Sequence, residues 1–426
     1  MIYGIFIAMN KIWLVTVVTI LIFIMQNNKV FAQEKATWWD IQSIDTMKLS
    51  RDLAREKASD PKYDIIIDNL LVGISSAGAT HVAIATPYDE EFIPYMRRWV
   101  TYARKHKLHV WFRGNFSGWE QWFGYQKISK EEHLKLTSEF IRNHSDLFSE
   151  GDIFSSCPEC ENGALGDPRH NGRIEEYKQF LLDQYQVSTE AFKAINKKVP
   201  ANYFSMNGDV ARLIMDKEYT RKLGGIVVID HYVKTPADLN EDINEYARIS
   251  GGKVVLGEFG APIPDINGDF SDSDQVTWMK ETMQLLVGNE NLVGVNYWTS
   301  VGSSTALWED DFSEKPALSE LKTYLIPSFA EIRFLNDLSH GIEDVRLVIN
   351  GRPYKSDEKG VMEIKYFNHN STTVASHSKY LDFQIDLEDV STDLPNEVYL
   401  TKTDVTLLDK IIKIIFDIYL TITAKF

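Results

Sequence analysis

The chain has 426 residues, a length that allows one large domain with one or two small attachments and excludes a small disulfide scaffold. Hydrophobic residues make up 44% of the sequence and charged residues 25%, a composition typical of packed globular proteins rather than disordered ones. The 61 acidic and 45 basic residues give a formal net charge of −16, which argues against a broad surface for nucleic acid. The only two cysteines, Cys157 and Cys160, are too few for a four-thiolate zinc site.

The N-terminus has the three-part layout of a secretory signal. Lys11 precedes the apolar run 12–25, and Val30-Phe31-Ala32 carries small or aliphatic residues at positions −3 and −1 of a cut after Ala32. The apolar run is shorter than the roughly 20 residues needed to cross a bilayer. We therefore predict that residues 1–32 are a cleaved signal peptide or an uncleaved anchor, and that the protein is secreted or held at the cell surface.

Between residues 36 and 326, short apolar runs alternate with amphipathic helical stretches. The predicted strands lie within 37–45 and at 80–86, 108–113, 152–157, 198–204, 225–230, 253–258 and 292–298, and a closing helix covers 315–325. Such alternation indicates parallel strands with right-handed crossovers, and eight of them close into a barrel. No G-x-G-x-x-G motif opens any of the helices, which argues against an open dinucleotide-binding sheet. We therefore predict an α/β fold with a (β/α)8 TIM barrel.

After Pro327 the pattern changes to short alternating segments separated by turn residues. Apolar alternation at 345–349, 360–366, 372–375 and 380–385, with Asn350-Gly351 as a turn, indicates antiparallel strands. We predict a small antiparallel β-sandwich-like domain at 328–402. Because its sequence holds no cluster of aromatic residues, we expect a spacer or packing module rather than a sugar binder.

The C-terminal segment 405–426 is apolar with helical spacing. Asp409, Lys410, Lys413 and Asp417 interrupt it, so a membrane span would be costly. We predict an amphipathic helix that either packs on the body of the protein or lies on a membrane surface.

In a barrel of this kind, reacting groups come from the C-terminal ends of the strands and the loops that follow them. Carboxylates follow the fourth strand, in Cys157-Pro158-Glu159-Cys160-Glu161-Asn162, and the seventh, at Glu258. Retaining glycoside hydrolysis requires such a pair across a cleft: one carboxylate attacks the anomeric carbon, and the other protonates the leaving oxygen and then activates water. Opposite strand ends of a narrow barrel are suited to that arrangement.

The segment Gly257-Glu258-Phe259-Gly260 resembles the seventh-strand motif of clan A glycoside hydrolases, remotely the cellulase-like members of family five. The resemblance spans the barrel and implies that Glu258 is the nucleophile. It further implies that Tyr232 orients the nucleophile and that His231 contacts the substrate. Trp298, at the end of the eighth strand, is similar to the tryptophan that stacks beneath the sugar at the cleavage point.

The fourth strand departs from the pattern of that clan, which has Asn-Glu at this position. Glu159 lies closest to the strand end and is the expected acid/base, with Glu161 as the alternative. The missing asparagine would hold the sugar 2-hydroxyl in the clan. Another donor, Asn115, Asn202 or Asn162, would have to serve, or the substrate lacks the usual 2-hydroxyl geometry. Arg113 and Asn115, at the end of the third strand, either bind substrate or cap the barrel rim.

Two further features leave alternatives open. Cys157 and Cys160 are expected to form a local disulfide, to remain as buried thiols, or to take part in thiol chemistry. Trp119 and Trp122, in the loop after the third strand, are either sugar-stacking faces or core. No histidine pair with a carboxylate, no phosphate-binding loop and no G-x-S-x-G motif occurs, so we expect neither metal nor cofactor.

These patterns predict a retaining glycoside hydrolase that acts on an oligo- or polysaccharide, with a β-linked glycan implied by the resemblance alone. The alternative is a non-catalytic surface protein that binds glycans on a TIM barrel, an alternative favoured by the unusual fourth strand.

Overall fold

A computed structural model describes residues 37–367, 372–392 and 394–403. The predicted signal peptide or anchor at 1–32 and the predicted amphipathic helix at 405–426 lie outside the described residues. In the part of the chain that the structure describes, none of the helices combines the length and the apolar character that a membrane span requires.

Eight parallel strands form one sheet in the order β4-β3-β2-β1-β8-β7-β6-β5. Their bounds are β1 Ile41–Asp45, β2 His81–Ile84, β3 His109–Phe112, β4 Ile153–Phe154, β5 Ser205–Asn207, β6 Ile226–Asp230, β7 Lys253–Phe259 and β8 Leu292–Tyr297. The first strand pairs with both β2 and β8. Between the two end strands, the Phe154 N–H of β4 donates to the carbonyl of Pro200 in the segment before β5 at 2.9 Å, and the Glu159 N–H after β4 donates to the Ser205 carbonyl of β5 at 2.8 Å. The sheet therefore closes on itself, which confirms the (β/α)8 barrel.

Helices connect successive barrel strands. Their bounds in the described residues are α1 Met47–Ser50, α2 Ala54–Lys57, α3 Tyr63–Ser76, α4 Ile93–Lys105, α5 Ser117–Glu120, α6 Lys130–Asn143, α7 Pro168–Asn171, α8 Ile174–Ala194, α9 Gly208–Ile214, α10 Lys217–Lys222, α11 Pro236–Ser250, α12 Pro264–Asn267, α13 Asp272–Val287 and α14 Pro316–Leu325. Two of the longer ones begin at capping boxes, in which Thr235 and Ser271 satisfy free N–H groups at the start of α11 and α13.

The fifth strand differs from the prediction. The sequence placed it at 198–204, whereas β5 covers Ser205–Asn207 and pairs with β6. The predicted stretch contains Pro200, which lacks an N–H for a sheet ladder. It runs extended along β4 and contributes carbonyl groups as acceptors, for example from Tyr203 to the Ser155 hydroxyl at 2.5 Å.

The inside of the barrel is layered. A buried apolar layer consists of Ile41, Ala83, Trp111, Ile153, Val228 and Val255. Because side chains two positions apart along a strand point to the same side, the next layer toward the C-terminal strand ends includes Arg113, Asp230 and Gly257. The Arg113 guanidinium lies 5.4 Å from the centre of the Trp111 ring. The barrel thus changes from apolar to charged at its C-terminal mouth.

A small β domain follows the barrel. Its strands are β9 Ser328–Leu335, β10 Arg346–Ile349, β11 Arg352–Lys355, β12 Val361–Tyr366, β13 Thr372–His377, β14 Tyr380–Asp386 and β15 Asn396–Tyr399, arranged as the sheets β11-β10-β13-β14 and β12-β9-β15. Apolar side chains from both sheets form one buried cluster. The predicted Asn350-Gly351 turn is confirmed, since Ile349 pairs with Arg352 and both turn residues have positive φ. The expectation of purely antiparallel pairing is wrong for β15, which pairs with β9 in parallel.

Candidate active site

Glu258 lies near the C-terminal end of β7, at the mouth of the barrel. Glu258 is 7% exposed, and its two carboxylate oxygens have different hydrogen-bond partners. The Tyr232 hydroxyl donates to Oε2 at 2.8 Å, and the Arg113 guanidinium donates to Oε1 at 3.1 Å. Two donors, one after the neighbouring strand β6 and one at the end of the more distant β3, therefore fix the orientation of this carboxylate.

Arg113 is the centre of a buried charge cluster. Its guanidinium also contacts Asp230 at 3.1 Å and Asp45 at 3.4 Å, and all four side chains are nearly excluded from solvent. One cation thus faces three carboxyl groups, supplied by β1, β6 and β7. Buried charges need such partners, because an unpaired carboxylate in a protein interior is strongly destabilising.

Gly257 makes room for this cluster. A β-carbon at this position would lie 2.5 Å from Asp230 Oδ1 and 2.9 Å from the Ser205 β-carbon. The Gly257 carbonyl also accepts hydrogen bonds from Arg113 and from the Asn296 side chain. The glycine that precedes Glu258 therefore serves to admit the guanidinium and its carboxylate partners.

Burial perturbs the acidic groups of the cluster. Loss of solvation raises the pKa of Glu258 to about 7; Arg113 opposes this rise, and the charges of Glu159 and Asp45 add to it. Burial likewise raises the pKa of Asp45 and raises the pKa of Asp230 well above its ordinary value. Of these groups, Glu258 is therefore only partly ionised at neutral pH.

Glu159 stands in the loop after β4 and is partly exposed. Its backbone has the left-handed conformation, with φ 45°, and its N–H donates to the Ser205 carbonyl at 2.8 Å. Asn162 contacts Glu159 Oε2 at 3.3 Å. The charge of Glu159 acts on Glu258, Asp230 and Arg113. The loop therefore brings a second, more accessible carboxylate to the mouth near Glu258.

The barrel is similar to that of a solved structure. A GH5_18 protein from Bifidobacterium longum subsp. longum, crystallised in complex with Manβ1-4GlcNAc, is similar over 71% of this chain and 84% of its own, with a TM-score of 0.52 and 15% identity. The chain has the barrel fold of clan A glycoside hydrolases.

Two other solved structures are similar at lower TM-scores. A Bacteroides uniformis β-glucuronidase matches 79% of this chain, with a TM-score of 0.45 and 13% identity, and the β-glycosidase BGL167 matches 67% of this chain and 95% of its own, with a TM-score of 0.43 and 14% identity. The chain spans only 44% and 46% of the length of two Bacteroides uniformis β-glucuronidases. No protein-family model and no curated protein matches the sequence.

The clan A resemblance assigned several residues to the mouth, and the structure brings Tyr232 and Trp298 there. Their rings meet edge to face, with centroids 5.9 Å apart. Trp298 is partly exposed, and the Lys48 ammonium lies 5.7 Å from its ring centre. Their roles in orienting the nucleophile and in stacking on a sugar remain predictions.

The His231 side chain is not part of the charge cluster around Arg113, and its expected contact with substrate remains a prediction. Its side chain turns to α11, where Nε2 lies 2.6 Å from Asp242 Oδ2 and the ring packs on Tyr246. The His231 N–H donates to the Glu258 carbonyl at 2.9 Å. This residue therefore anchors the end of β6 to β7 and to a helix.

The side chains of Asn202 and Asn115 are not available to a sugar. Asn202 donates to the Leu223 carbonyl at 2.9 Å, at the end of the barrel where β6 begins and away from Glu258. Asn115 is fully buried, with Oδ1 accepting from His133 at 2.8 Å. Arg113, the third predicted contact from a strand end, is 1% exposed and bonded to carboxylates, so it holds the cluster instead of touching substrate.

Glu161 is buried in the loop after β4, and its assignment as the alternative acid/base remains a prediction. It is 4% exposed, and it accepts hydrogen bonds from the Tyr177 hydroxyl at 2.9 Å and from the Asn207 N–H at 2.8 Å. These bonds engage both oxygens. Of the two carboxylates in this loop, Glu159 is the more exposed.

The structure resolves the open alternatives on the cysteines and tryptophans. Cys157 and Cys160 form a disulfide within the loop that carries Glu159. Trp119 is core, 1% exposed and stacked on Phe180, whereas Trp122 is partly exposed beneath the Arg51 guanidinium at 4.7 Å.

Two acidic residues of the mouth, Asp45 and Asp230, were not predicted as site residues. They end β1 and β6, so their position as the last residue of a predicted strand was the available indication. Among the described residues, no group of three or more acidic, histidine or cysteine side chains is arranged to hold a metal ion.

Proposed function

We propose that this protein is a retaining glycoside hydrolase that cleaves a β-linked glycan by double displacement, with Glu258 as nucleophile and Glu159 as acid/base. The observation that carries the proposal is the Glu258 carboxylate, fixed by Tyr232 and Arg113 at the barrel mouth, with Glu159 near it. The clan A fold supports the same assignment.

In the proposed reaction, Glu258 attacks the anomeric carbon while Glu159 donates a proton to the departing oxygen. Glu159, now ionised, then takes a proton from water, which displaces Glu258 from the sugar. Tyr232 and Arg113 keep the attacking oxygen in one orientation, and such positioning lowers the entropic part of the barrier. Trp298 offers a partly exposed aromatic face for the sugar ring.

The ionisation of Glu258 should make the activity of the protein depend on pH. Because burial raises its pKa to about 7, the ionised fraction that can attack falls as the pH drops below about 7. Activity should therefore fall on the acid side with an apparent pKa near that value.

We also propose that the protein acts outside the cytoplasm, as a secreted or surface-held enzyme. The disulfide between Cys157 and Cys160 supports this, because disulfides persist in oxidising compartments. The signal-like sequence at 1–32 supports it independently.

The nucleophile is tested with Glu258→Gln, which keeps the size of the side chain. We expect loss of hydrolysis of aryl β-glycosides by at least about a thousandfold, with an unchanged circular dichroism spectrum. Incubation of the wild type with a 2-deoxy-2-fluoro glycoside should add the mass of one sugar to the peptide that contains Glu258. Full activity of the Gln variant would refute the assignment.

The acid/base is tested by comparing Glu159→Ala with Glu161→Gln. Glu159→Ala should slow substrates with poor leaving groups far more than dinitrophenyl glycosides, and added azide should restore turnover as a glycosyl azide. Glu161→Gln is the matched control, since this residue is bonded in the wall. The same leaving-group dependence in Glu161→Gln would transfer the role to Glu161.

The alternative function, a non-catalytic glycan-binding surface protein, follows from the absence of asparagine before Glu159, where Pro158 stands. It predicts saturable glycan binding without turnover and without covalent labelling by the fluoro sugar.

A further inference from the structure

The disulfide of the loop after β4 encloses the candidate acid/base. Cys157 and Cys160 are bonded to each other, and Pro158 and Glu159 are the residues between them. Both cysteines are buried, whereas Glu159 is partly exposed. The loop therefore has a buried covalent link at its base and a more accessible carboxylate at its turn.

Glu159 has a backbone conformation that a glutamate rarely adopts. Its φ of 45° and ψ of 52° lie in the left-handed region, which is unfavourable for a residue with a β-carbon. Such a conformation persists only where the surrounding structure holds it. The disulfide supplies a restraint of this kind, because it ties the residue that directly follows Glu159 to the residue before Pro158.

Contacts with the β3 loop fix the disulfide itself. The Cys160 carbonyl accepts a hydrogen bond from the Trp119 indole at 3.2 Å, and the Asn115 amide nitrogen lies 3.8 Å from Cys157 Sγ. A side chain at Gly163, just after the disulfide loop, would collide with the same indole. The covalent link is therefore anchored in the core at both of its ends.

Hydrogen bonds connect the backbone of Glu159 to the candidate nucleophile. The Glu159 N–H donates to the Ser205 carbonyl at 2.8 Å, and the Ser205 hydroxyl accepts from Arg113 at 3.0 Å. Arg113 in turn donates to Glu258 at 3.1 Å. Because the N–H of Glu159 is anchored in this way, a change in its φ and ψ angles would redirect its side chain relative to Glu258.

The disulfide is poorly suited to stabilising the barrel as a whole. In the chain-entropy model, the stabilisation by a disulfide grows with the length of chain that it closes. This disulfide closes only the short loop from Cys157 to Cys160, and the barrel has an extensive buried core of its own. The main effect of the link is therefore expected at the residues that it encloses.

We propose that the disulfide between Cys157 and Cys160 is a positioning element that holds Glu159 in its left-handed conformation and so directs its carboxyl group toward the leaving group. This inference deepens the proposed function and rests on Glu159 as acid/base. The two cysteines are positioning residues, because both are buried and act through Glu159.

The test is a cycle between the disulfide and Glu159. The wild type, Cys157→Ala/Cys160→Ala, Glu159→Ala and the triple variant are assayed for kcat/KM on an alkyl β-glycoside and on a dinitrophenyl β-glycoside. The sequence has no other cysteine, so the double variant forms no substitute disulfide.

The double variant should lose at least about tenfold on the alkyl glycoside and less than about threefold on the dinitrophenyl glycoside, whose leaving group needs little protonation. In the Glu159→Ala background, removing the disulfide should cost at most about twofold on the alkyl glycoside, because the group on which it acts is already absent.

The outcomes separate the two proposals. No loss in the double variant, or the same loss on both glycosides and in both backgrounds, would overturn the positioning role while leaving the hydrolase intact, because a merely structural effect depends neither on the leaving group nor on Glu159. Absence of leaving-group dependence in Glu159→Ala would remove the inference and leave the role of Glu258 standing. No turnover of any glycoside by the wild type would refute the proposed function and this inference with it.

A second measurement covers the case in which the double variant does not fold. Wild-type protein and Glu159→Ala are then compared before and after reduction with tris(2-carboxyethyl)phosphine, under the same criteria. The two sulfurs gain two electrons and two protons, and the phosphine becomes its oxide with oxygen from water. Alkylation of both thiols, measured by mass spectrometry, shows that the bond is open.

Discussion

The hydrogen bond from Tyr232 to Glu258 offers the sharpest test of how the mouth controls its nucleophile. Tyr232→Phe removes one hydroxyl and retains the ring that packs on Trp298 at 5.9 Å. The 2.8 Å bond stabilises the ionised form of Glu258 and lowers its pKa. In the variant, the pKa of Glu258 should therefore rise above the wild-type value of about 7.

The magnitude follows from the energy of a hydrogen bond to a charged group, which is about 1.5–3 kcal/mol. Since about 1.4 kcal/mol corresponds to tenfold in an equilibrium, the ionised fraction at low pH should fall by at least about tenfold. Well above the pKa of Glu258, the carboxylate is ionised in both proteins, and only the loss of orientation remains. The defect should therefore be large at pH 5.5 and smaller at pH 8.5.

The assay is the pH dependence of kcat/KM for an aryl β-glycoside, measured for both proteins from pH 5 to 9. We expect the acid limb of the variant to move to higher pH, with the two curves approaching each other at alkaline pH. A constant ratio of the two rates across the whole range would refute the reasoning, because it would mean that Tyr232 does not influence ionisation of the nucleophile.

Two further predictions concern the charge cluster. Arg113→Met leaves three buried carboxyl groups without a cation and should cost about 3–5 kcal/mol of unfolding free energy at pH 8. Because carboxyl groups with a raised folded-state pKa remove stability as the pH rises, urea unfolding should show a smaller loss of stability at pH 5 than at pH 8. An identical loss at both pH values would contradict the cluster. Gly257→Ala places a β-carbon 2.5 Å from Asp230 Oδ1 and should cost about 1–3 kcal/mol with reduced turnover. Gly288→Ala, whose β-carbon would lie 3.6 Å from the nearest atom, is the control, and equal stability of the two variants would show that Gly257 is not packed as described.

Much of the fold was accessible from local patterns. Apolar runs separated by amphipathic stretches predicted seven of the eight barrel strands close to their bounds, because burial on both faces selects continuous apolar strands. The fifth strand was misplaced, since the apolar run around Pro200 resembles a strand although its backbone cannot complete a ladder. In the small domain, β11 and β15 were missed because each has only four residues and none of them is fully buried. β9 was also missed, although its eight residues alternate between buried and exposed.

The sequence by itself determined the barrel, the position of Glu258 near the end of β7 and the presence of acidic residues after β4, since these follow from residue order along single strands. Tertiary structure alone decided which side chains meet. Arg113, expected to touch substrate, instead lies among Asp45, Asp230 and Glu258, because strands distant in the chain converge at one end of the barrel. Glu159 and Glu161 are two positions apart with the same chemistry, and only the contacts of Tyr177 and Asn207 set them apart. The pattern of apolar residues within one segment indicates which of its residues are buried. Which charged side chains form ion pairs depends on distances between segments, and only the closed barrel defines those distances.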